Sequence, residues 1–177
     1  YLLAVLIDAA DFVANMSGTY GAYLKIWRGH ALKQIELRPI EVFDNRFINQ
    51  AFQQDANELV KTISGDVLYL DPPYNQRQYA SNFHVLESLA VWDKPKLRGV
   101  TGLRDYQNQK SLFSVKSEAL GSLLDIYKNA DFRYVALSYN NEGLISHEQI
   151  ESSLQELGDL KILSTDYRRF RTERDHE

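Results

Sequence analysis

Residues 66–74 read Asp66-Val67-Leu68-Tyr69-Leu70-Asp71-Pro72-Pro73-Tyr74. The apolar run from Val67 to Leu70 has the character of a short strand buried on both faces of a sheet. Proline has no N–H to give to a ladder, so the strand stops at Asp71, and the two rings stiffen the turn beyond it. Asp71 is thereby held at the carboxyl end of a buried strand, where open α/β sheets bind their ligands. Tyr74 adds a flat face. A fixed carboxylate acceptor, rigid backbone carbonyls and a stacking ring together suit a planar ring that carries an amino group. Taken singly, each residue has an ordinary alternative: a turn or helix cap for Asp71, a stiff loop for Pro72-Pro73, half-buried packing for Tyr74.

Outward from this stretch the sequence alternates between helical and extended patterns. Leu2, Leu3, Leu6, Ile7, Ala10, Val13 and Ala14 predict a helix over 2–15. Residues 34–42 alternate weakly around Pro39 and predict an edge strand; 47–54 predict another strand and 56–63 a short helix. Gly65-Asp66 reads as the turn into the strand that ends at Asp71. A helix is expected over 82–92, then a long polar loop over 94–110 with Gly99 and Gly102. Ala119, Leu120, Leu123, Leu124 and Tyr127 predict a helix over 115–129, and 133–139 a strand. Ser146 and Gln149 have the spacing of a capping box, opening a helix that Gly158 closes. A last strand is expected over 160–170. Strands alternating with helices imply an α/β fold with a mostly parallel sheet.

The 177 residues are within the usual range for one domain; 44% are hydrophobic and 25% charged, an ordinary soluble balance. No apolar run approaches the roughly 20 residues that span a bilayer. Residues 1–7 lack the basic flank and cleavage site of a signal peptide. There is no cysteine, which excludes disulfides and thiolate metal sites and fits a reducing, cytoplasmic compartment. No partner histidine lies at metal-ligand spacing from His84, so no metal site is expected. The net charge of −4 speaks against a nucleic-acid partner, but the distribution matters more than the sum. Arg168, Arg169, Arg171 and Arg174 form one basic cluster and Lys94, Lys96, Arg98 and Arg104 another. Each reads as a solvated face or as a phosphate contact. Trp27 and Trp92 read as core.

Asp71-Pro72-Pro73-Tyr74 resembles the catalytic motif of S-adenosylmethionine-dependent amino-methyltransferases, above all the adenine-N6 DNA methyltransferases. The resemblance continues through Asn75-Gln76-Arg77-Gln78-Tyr79, Asn82-Phe83-His84-Val85-Leu86-Glu87, Thr101-Gly102-Leu103-Arg104 and Leu137-Ser138-Tyr139-Asn140-Asn141. Together these look like the alpha-type branch of bacterial restriction–modification adenine methylases, over roughly residues 50–175. The resemblance implies a Rossmann-like methyltransferase core and methyl transfer to adenine N6 in double-stranded DNA. In that family the motif's carboxylate and the carbonyl of its first proline accept the two amino hydrogens. Here these are Asp71 and Pro72, with Pro73 fixing the turn and Tyr74 stacking on the flipped base.

The resemblance also implies that Asp55 accepts from the cofactor's adenine amino group and that the Ala56 amide donates to the ring; Asp55 would serve equally as a helix N-cap. Asn75, Arg77, Tyr79 and His84 would shape the base pocket or meet the nucleotide backbone. Ser138, Tyr139 and Asn140 would border the substrate pocket, or form a plain turn. A family member begins with a strand, a Gly-rich turn and a helix around the cofactor. Ser17-Gly18-Thr19-Tyr20-Gly21 follows a helix and is the wrong context for that loop. The chain is therefore expected to be a C-terminal part of a longer enzyme, its sheet gapped and its final antiparallel strand missing. Residues 1–45 would end a target-recognition segment and 46–177 form an incomplete catalytic core. The missing segment is either lost or supplied in trans, as an N-terminal segment or subunit that would complete the cofactor site, and the chain alone is expected to be inactive. The rival readings are an amino-methyltransferase of protein glutamine or RNA, and a non-catalytic DNA-binding subunit.

Overall fold

Ser64–Leu70 form strand β1, and the strand stops at Asp71 as the prolines require. It pairs in parallel with β2, Asp131–Leu137, in a register that sets Ser64 beside Asp131 and Leu70 beside Leu137. The Ser138 N–H donates to the Leu70 carbonyl at 2.9 Å and carries the pairing one step further. Among the residues described by this computed structural model, 1–166, these two strands are the whole sheet. Gly65 lies inside β1 rather than in a turn before it. The Phe132 ring stands 3.1 Å from where a β-carbon at Gly65 would be, so a larger residue would push the strands apart.

Helix α1 spans Leu2–Phe12, α2 Ala56–Leu59, α3 Tyr79–Asn82, α4 His84–Val91, α5 Ala119–Asn129 and α6 His147–Gln155. The core is built on α5, whose Ala119, Leu123 and Ile126 are buried with Val60, Phe113 and Ile145. Leu68 and Leu70 of β1 and Phe132 and Leu137 of β2 pack against this cluster. α5 runs into β2 with one residue between, so the connection from β1 returns to the sheet over one face. A parallel pair needs such a crossover.

Among the described residues nothing covers the other face of the sheet. Val67 is 60% exposed, Tyr69 63% and Tyr134 57%. The apolar run 67–70 therefore marks a half-covered strand instead of one buried on both faces: only its even residues reach the core.

Helix starts follow local chemistry. The Asp55 carboxylate accepts from the Asn57 N–H at 2.9 Å and caps α2; Ser146 and Gln149 close a reciprocal capping box on α6. Asn57 reaches on to the Ser122 carbonyl at 2.9 Å and the Asp125 carboxylate at 2.7 Å, fastening α2 to α5. α1 buries Val5 and Ala9 and packs on α4. The Tyr20 N–H donates to the Asn82 carbonyl at 2.7 Å and the Tyr20 hydroxyl to Asp11 at 3.0 Å.

Several expected elements are absent or shorter. Residues 34–42 and 47–54 form no strand, since among the described residues nothing lies alongside to take their hydrogen bonds; Phe47, Ile48 and Phe52 are exposed. No strand forms over 160–166 either, while 167–170 lie outside the described residues. α1 ends at Phe12 and α2 at Leu59; α5 starts at Ala119, after a single 3₁₀ turn at Leu112–Ser114. α6 ends at Gln155, so Gly158 is not its cap. Trp27 and Trp92 are exposed instead of core. Among the described residues no helix is long and apolar enough to cross a membrane, and no carboxylate–histidine cluster could hold a metal.

Candidate active site

The turn Asp71-Pro72-Pro73-Tyr74 leaves the carboxyl end of β1 and is held from the far side by the segment that leaves β2. Leu70 accepts from the Ser138 N–H, and the Tyr74 carbonyl accepts from the Leu144 N–H at 2.8 Å. These two bonds bracket the motif, one at each end. Asp71 is exposed, and among the described residues no side chain hydrogen-bonds its carboxylate. Pro72, Pro73 and Tyr74 are half-buried. The result is an open acceptor on a turn whose backbone is pinned.

The segment 138–145 owes its shape to Tyr139 and Gly143. The Tyr139 ring lies across Gly143, its Cε1 occupying the place of a β-carbon and its Cζ 2.8 Å from that place. The Tyr139 hydroxyl accepts from the Ile145 N–H at 3.3 Å, and the Asn140 side chain accepts from the Glu142 N–H at 2.8 Å. The turn is thus wound tightly enough to aim Leu144 at Tyr74. Gly143 was not singled out from the sequence, because a glycine in a polar turn carries no sign of what lies over it.

Tyr79 opens α3 beside the motif. Burial first, then the neighbouring Tyr74 and Asp71, raise the pKa of its hydroxyl. Its ring centroid stands 6.0 Å from that of Phe83. Asn75 turns back to accept from the Arg77 N–H at 2.9 Å, and Arg77 is exposed. Asp71, Tyr74 and Tyr79 therefore form one group, with Asn75 and Arg77 on the adjoining turn. Gln78, one residue before Tyr79, makes two hydrogen bonds with Ser111, donating to its carbonyl at 3.0 Å and accepting from its N–H at 2.7 Å. This clamp reaches 33 residues along the chain and had no local signal.

His84 does not face a substrate pocket. The ring is fully buried, with Nδ1 2.8 Å from the Ser81 carbonyl and Nε2 2.8 Å from the Thr101 carbonyl. Both nitrogens are occupied by backbone, so its part is to tie the start of α4 to the loop at Thr101. Arg104 likewise is no free cation. It grips Asp93 through two bonds, at 2.6 and 3.2 Å, with only 11% of its side chain exposed. Lys94, Lys96 and Arg98 are exposed, and the cluster from Arg168 to Arg174 lies outside the described residues.

Asp55 and Ala56 stand together at the first turn of α2, but no strand leads to them. An acidic acceptor beside a helix-start N–H, which has no intrahelical partner, is a donor set that fits the edge of an adenine ring. A groove of about 560 Å³ lies between α1 and α4, and none of Asp55, Ala56, Asp71, Tyr74 or Tyr79 lines it.

The profile of the D12 class N6 adenine-specific DNA methyltransferases matches residues 1–153. The chain is 43% identical to the type II methyltransferase M.FokI of Planomicrobium okeanokoites across all of its own length and 28% of that protein. It is 44% identical to modification methylase StsI of Streptococcus sanguinis, over 97% of this chain and 27% of the relative. It is also 44% identical to the type II methyltransferase M.NlaIII of Neisseria lactamica, over 98% of this chain and 52% of the relative. The chain thus spans between about a quarter and about half of these relatives' length. No solved structure matches.

Proposed function

The chain belongs to the D12 class of N6 adenine-specific DNA methyltransferases, and from that premise we propose that it carries the catalytic turn of an enzyme that methylates adenine N6 in double-stranded DNA, within a restriction–modification pair. The single observation that carries this reading is the pinned turn at the end of β1, which presents an unbonded carboxylate, a proline carbonyl and an aromatic face. The exocyclic nitrogen of adenine is a poor nucleophile because its lone pair is delocalised into the ring. Asp71 accepts one amino hydrogen and the Pro72 carbonyl the other. Together they draw the nitrogen toward tetrahedral geometry and localise the pair. Tyr74 stacks on the extruded base and offsets part of the few kcal/mol of unstacking. Tyr79 walls the same pocket, and Asn75, Arg77, Ser138, Tyr139 and Asn140 border it.

S-adenosylmethionine, when bound, supplies an electrophilic methyl group. Asp55 and Ala56 fit its adenine end. The methionine and ribose ends call for a further segment of the longer protein, completing a Rossmann-like core that extends the sheet beyond β1 and β2. Residues 1–45 would end a target-recognition segment in that whole. Its DNA substrate would place the enzyme in the cytoplasm.

The test is Asp71→Ala in the whole protein. Loss of one preorganised hydrogen-bond partner should lower the rate of methyl transfer by on the order of 100-fold or more. Folding should be kept, since Asp71 is exposed at a strand end. A folded variant that methylates DNA at the parent rate would remove Asp71 from the mechanism.

A further inference from the structure

Between Asp93 and Arg104 the chain reads Lys94-Pro95-Lys96-Leu97-Arg98-Gly99-Val100-Thr101-Gly102-Leu103, three cations and no carboxylate in a chain of net charge −4. The segment is a braced hairpin. Arg98 and Leu103 exchange two backbone hydrogen bonds, both 2.8 Å, and Gly99 and Gly102 take the positive φ values of 69° and 67° that the tip needs. The Arg104–Asp93 pair closes its base, and the buried His84 holds the Thr101 carbonyl against α4. Trp92 ends α4 in the left-handed region and Lys94 follows in the same region, so the chain leaves the helix sharply and juts outward. What it presents is Lys94, Lys96 and Arg98, all exposed, with Leu97 57% and Val100 78% exposed. Among the described residues none of the three cations is paired with a carboxylate.

One contact to a buried histidine, an ion pair and a two-bond bridge thus brace a loop whose three cations all face solvent. We propose that this hairpin is a DNA-contacting arm: Lys94, Lys96 and Arg98 meet backbone phosphates, and Leu97 and Val100 lie against the sugar edge of a groove. The proposal rests on the reading of the chain as acting on DNA, and names where it does so outside the base pocket. Duplex DNA is favoured over a protein partner because the charge is of one sign and set on alternate residues of an extended arm, as phosphate contacts require. The arm is carried on α4, which follows the catalytic turn through α3, so contact there would fix how the duplex lies over Asp71 and Tyr74.

The experiment measures binding of the full chain to a fluorescent mixed-sequence duplex at several salt concentrations. Each phosphate contact contributes about 0.9 to the slope of log affinity against log salt. The triple variant Lys94→Gln, Lys96→Gln, Arg98→Gln should flatten the slope by about 2–3. A charge-keeping variant, Lys94→Arg with Lys96→Arg, should retain the parent slope, and so should Lys128→Gln, an exposed cation on α5. Leu97→Ala with Val100→Ala should weaken binding without changing the slope. A parent that binds duplex while the triple variant keeps its full slope would overturn the arm and leave the methyltransferase reading standing; a protein partner for the hairpin would give this result. A parent that fails to bind duplex at all would overturn the arm alone, since the methyltransferase reading is tested by Asp71→Ala in the whole protein.

Discussion

Gly143 shows how one atom's absence positions a side chain of the candidate site. The Tyr139 ring occupies the space of a β-carbon there, and the Asn140 carbonyl is 2.9 Å from the same point. Gly143→Ala must displace the ring or open the turn. Overpacking of this kind costs about 1–3 kcal/mol. Urea unfolding should show that loss, and Tyr139→Ala in the same molecule should recover only part of it, because the backbone contact remains. Since Leu144 reaches Tyr74 from this turn, base binding should weaken in parallel. His84 is the opposite case. A histidine shortly after the Asp-Pro-Pro-Tyr motif invites a place in the base pocket, yet its partner is a carbonyl 17 residues away that no local pattern reveals. Asp71 could be read from the sequence because the cause lay next to it, in the two prolines.

At the level of elements, what was legible was what local chemistry decides. Strand β1 ends where proline forbids a donor, α6 starts at its capping box, and α5 shows its apolar stripe. The failures share one cause. Periodicity reports which faces a segment has, but a strand also needs a neighbour to bond, and residues 47–54 have none among the described residues. For the same reason an apolar run such as 67–70 suits a strand covered on one side as well as one covered on both. Where a face is truly enclosed the consequences are large: Leu123 on α5 is fully buried at the centre of the core. Leu123→Ala should lower stability by about 2–5 kcal/mol, read from the shift of the denaturation midpoint at unchanged slope. A loss below about 1 kcal/mol would mean that α5 is not the keel of the fold.

Across the whole molecule, the N-terminal segment is joined to the rest through Tyr20, which bonds both α1 and the end of α3. Burial, and after it the Asp11 carboxylate, raise the Tyr20 hydroxyl above its ordinary pKa. The unfolded chain then gives up this proton at a lower pH, near 10, than the folded one. The contribution is fully present below that pH and declines as pH rises beyond it. Thermal melts from pH 9 to 11 should show the decline, and Tyr20→Phe should flatten it; equal slopes in both proteins would show that Tyr20 is not the group responsible. Tyr127, raised by burial, adds to the parent slope but is common to both.

The bonds that bracket the proposed catalytic turn come from far along the chain: Leu70 waits for Ser138, and Tyr74 for Leu144. During synthesis the motif leaves the ribosome well before either partner exists, so the turn cannot be set when it is made. Assembly of the site is thus an end point of folding and not a seed for it, and a nascent chain stalled at Asn129 holds neither Ser138 nor Leu144 and leaves the proposed site residues loose. Hydrogen exchange on such a stalled chain should find the β1 amides unprotected, while the released chain protects them.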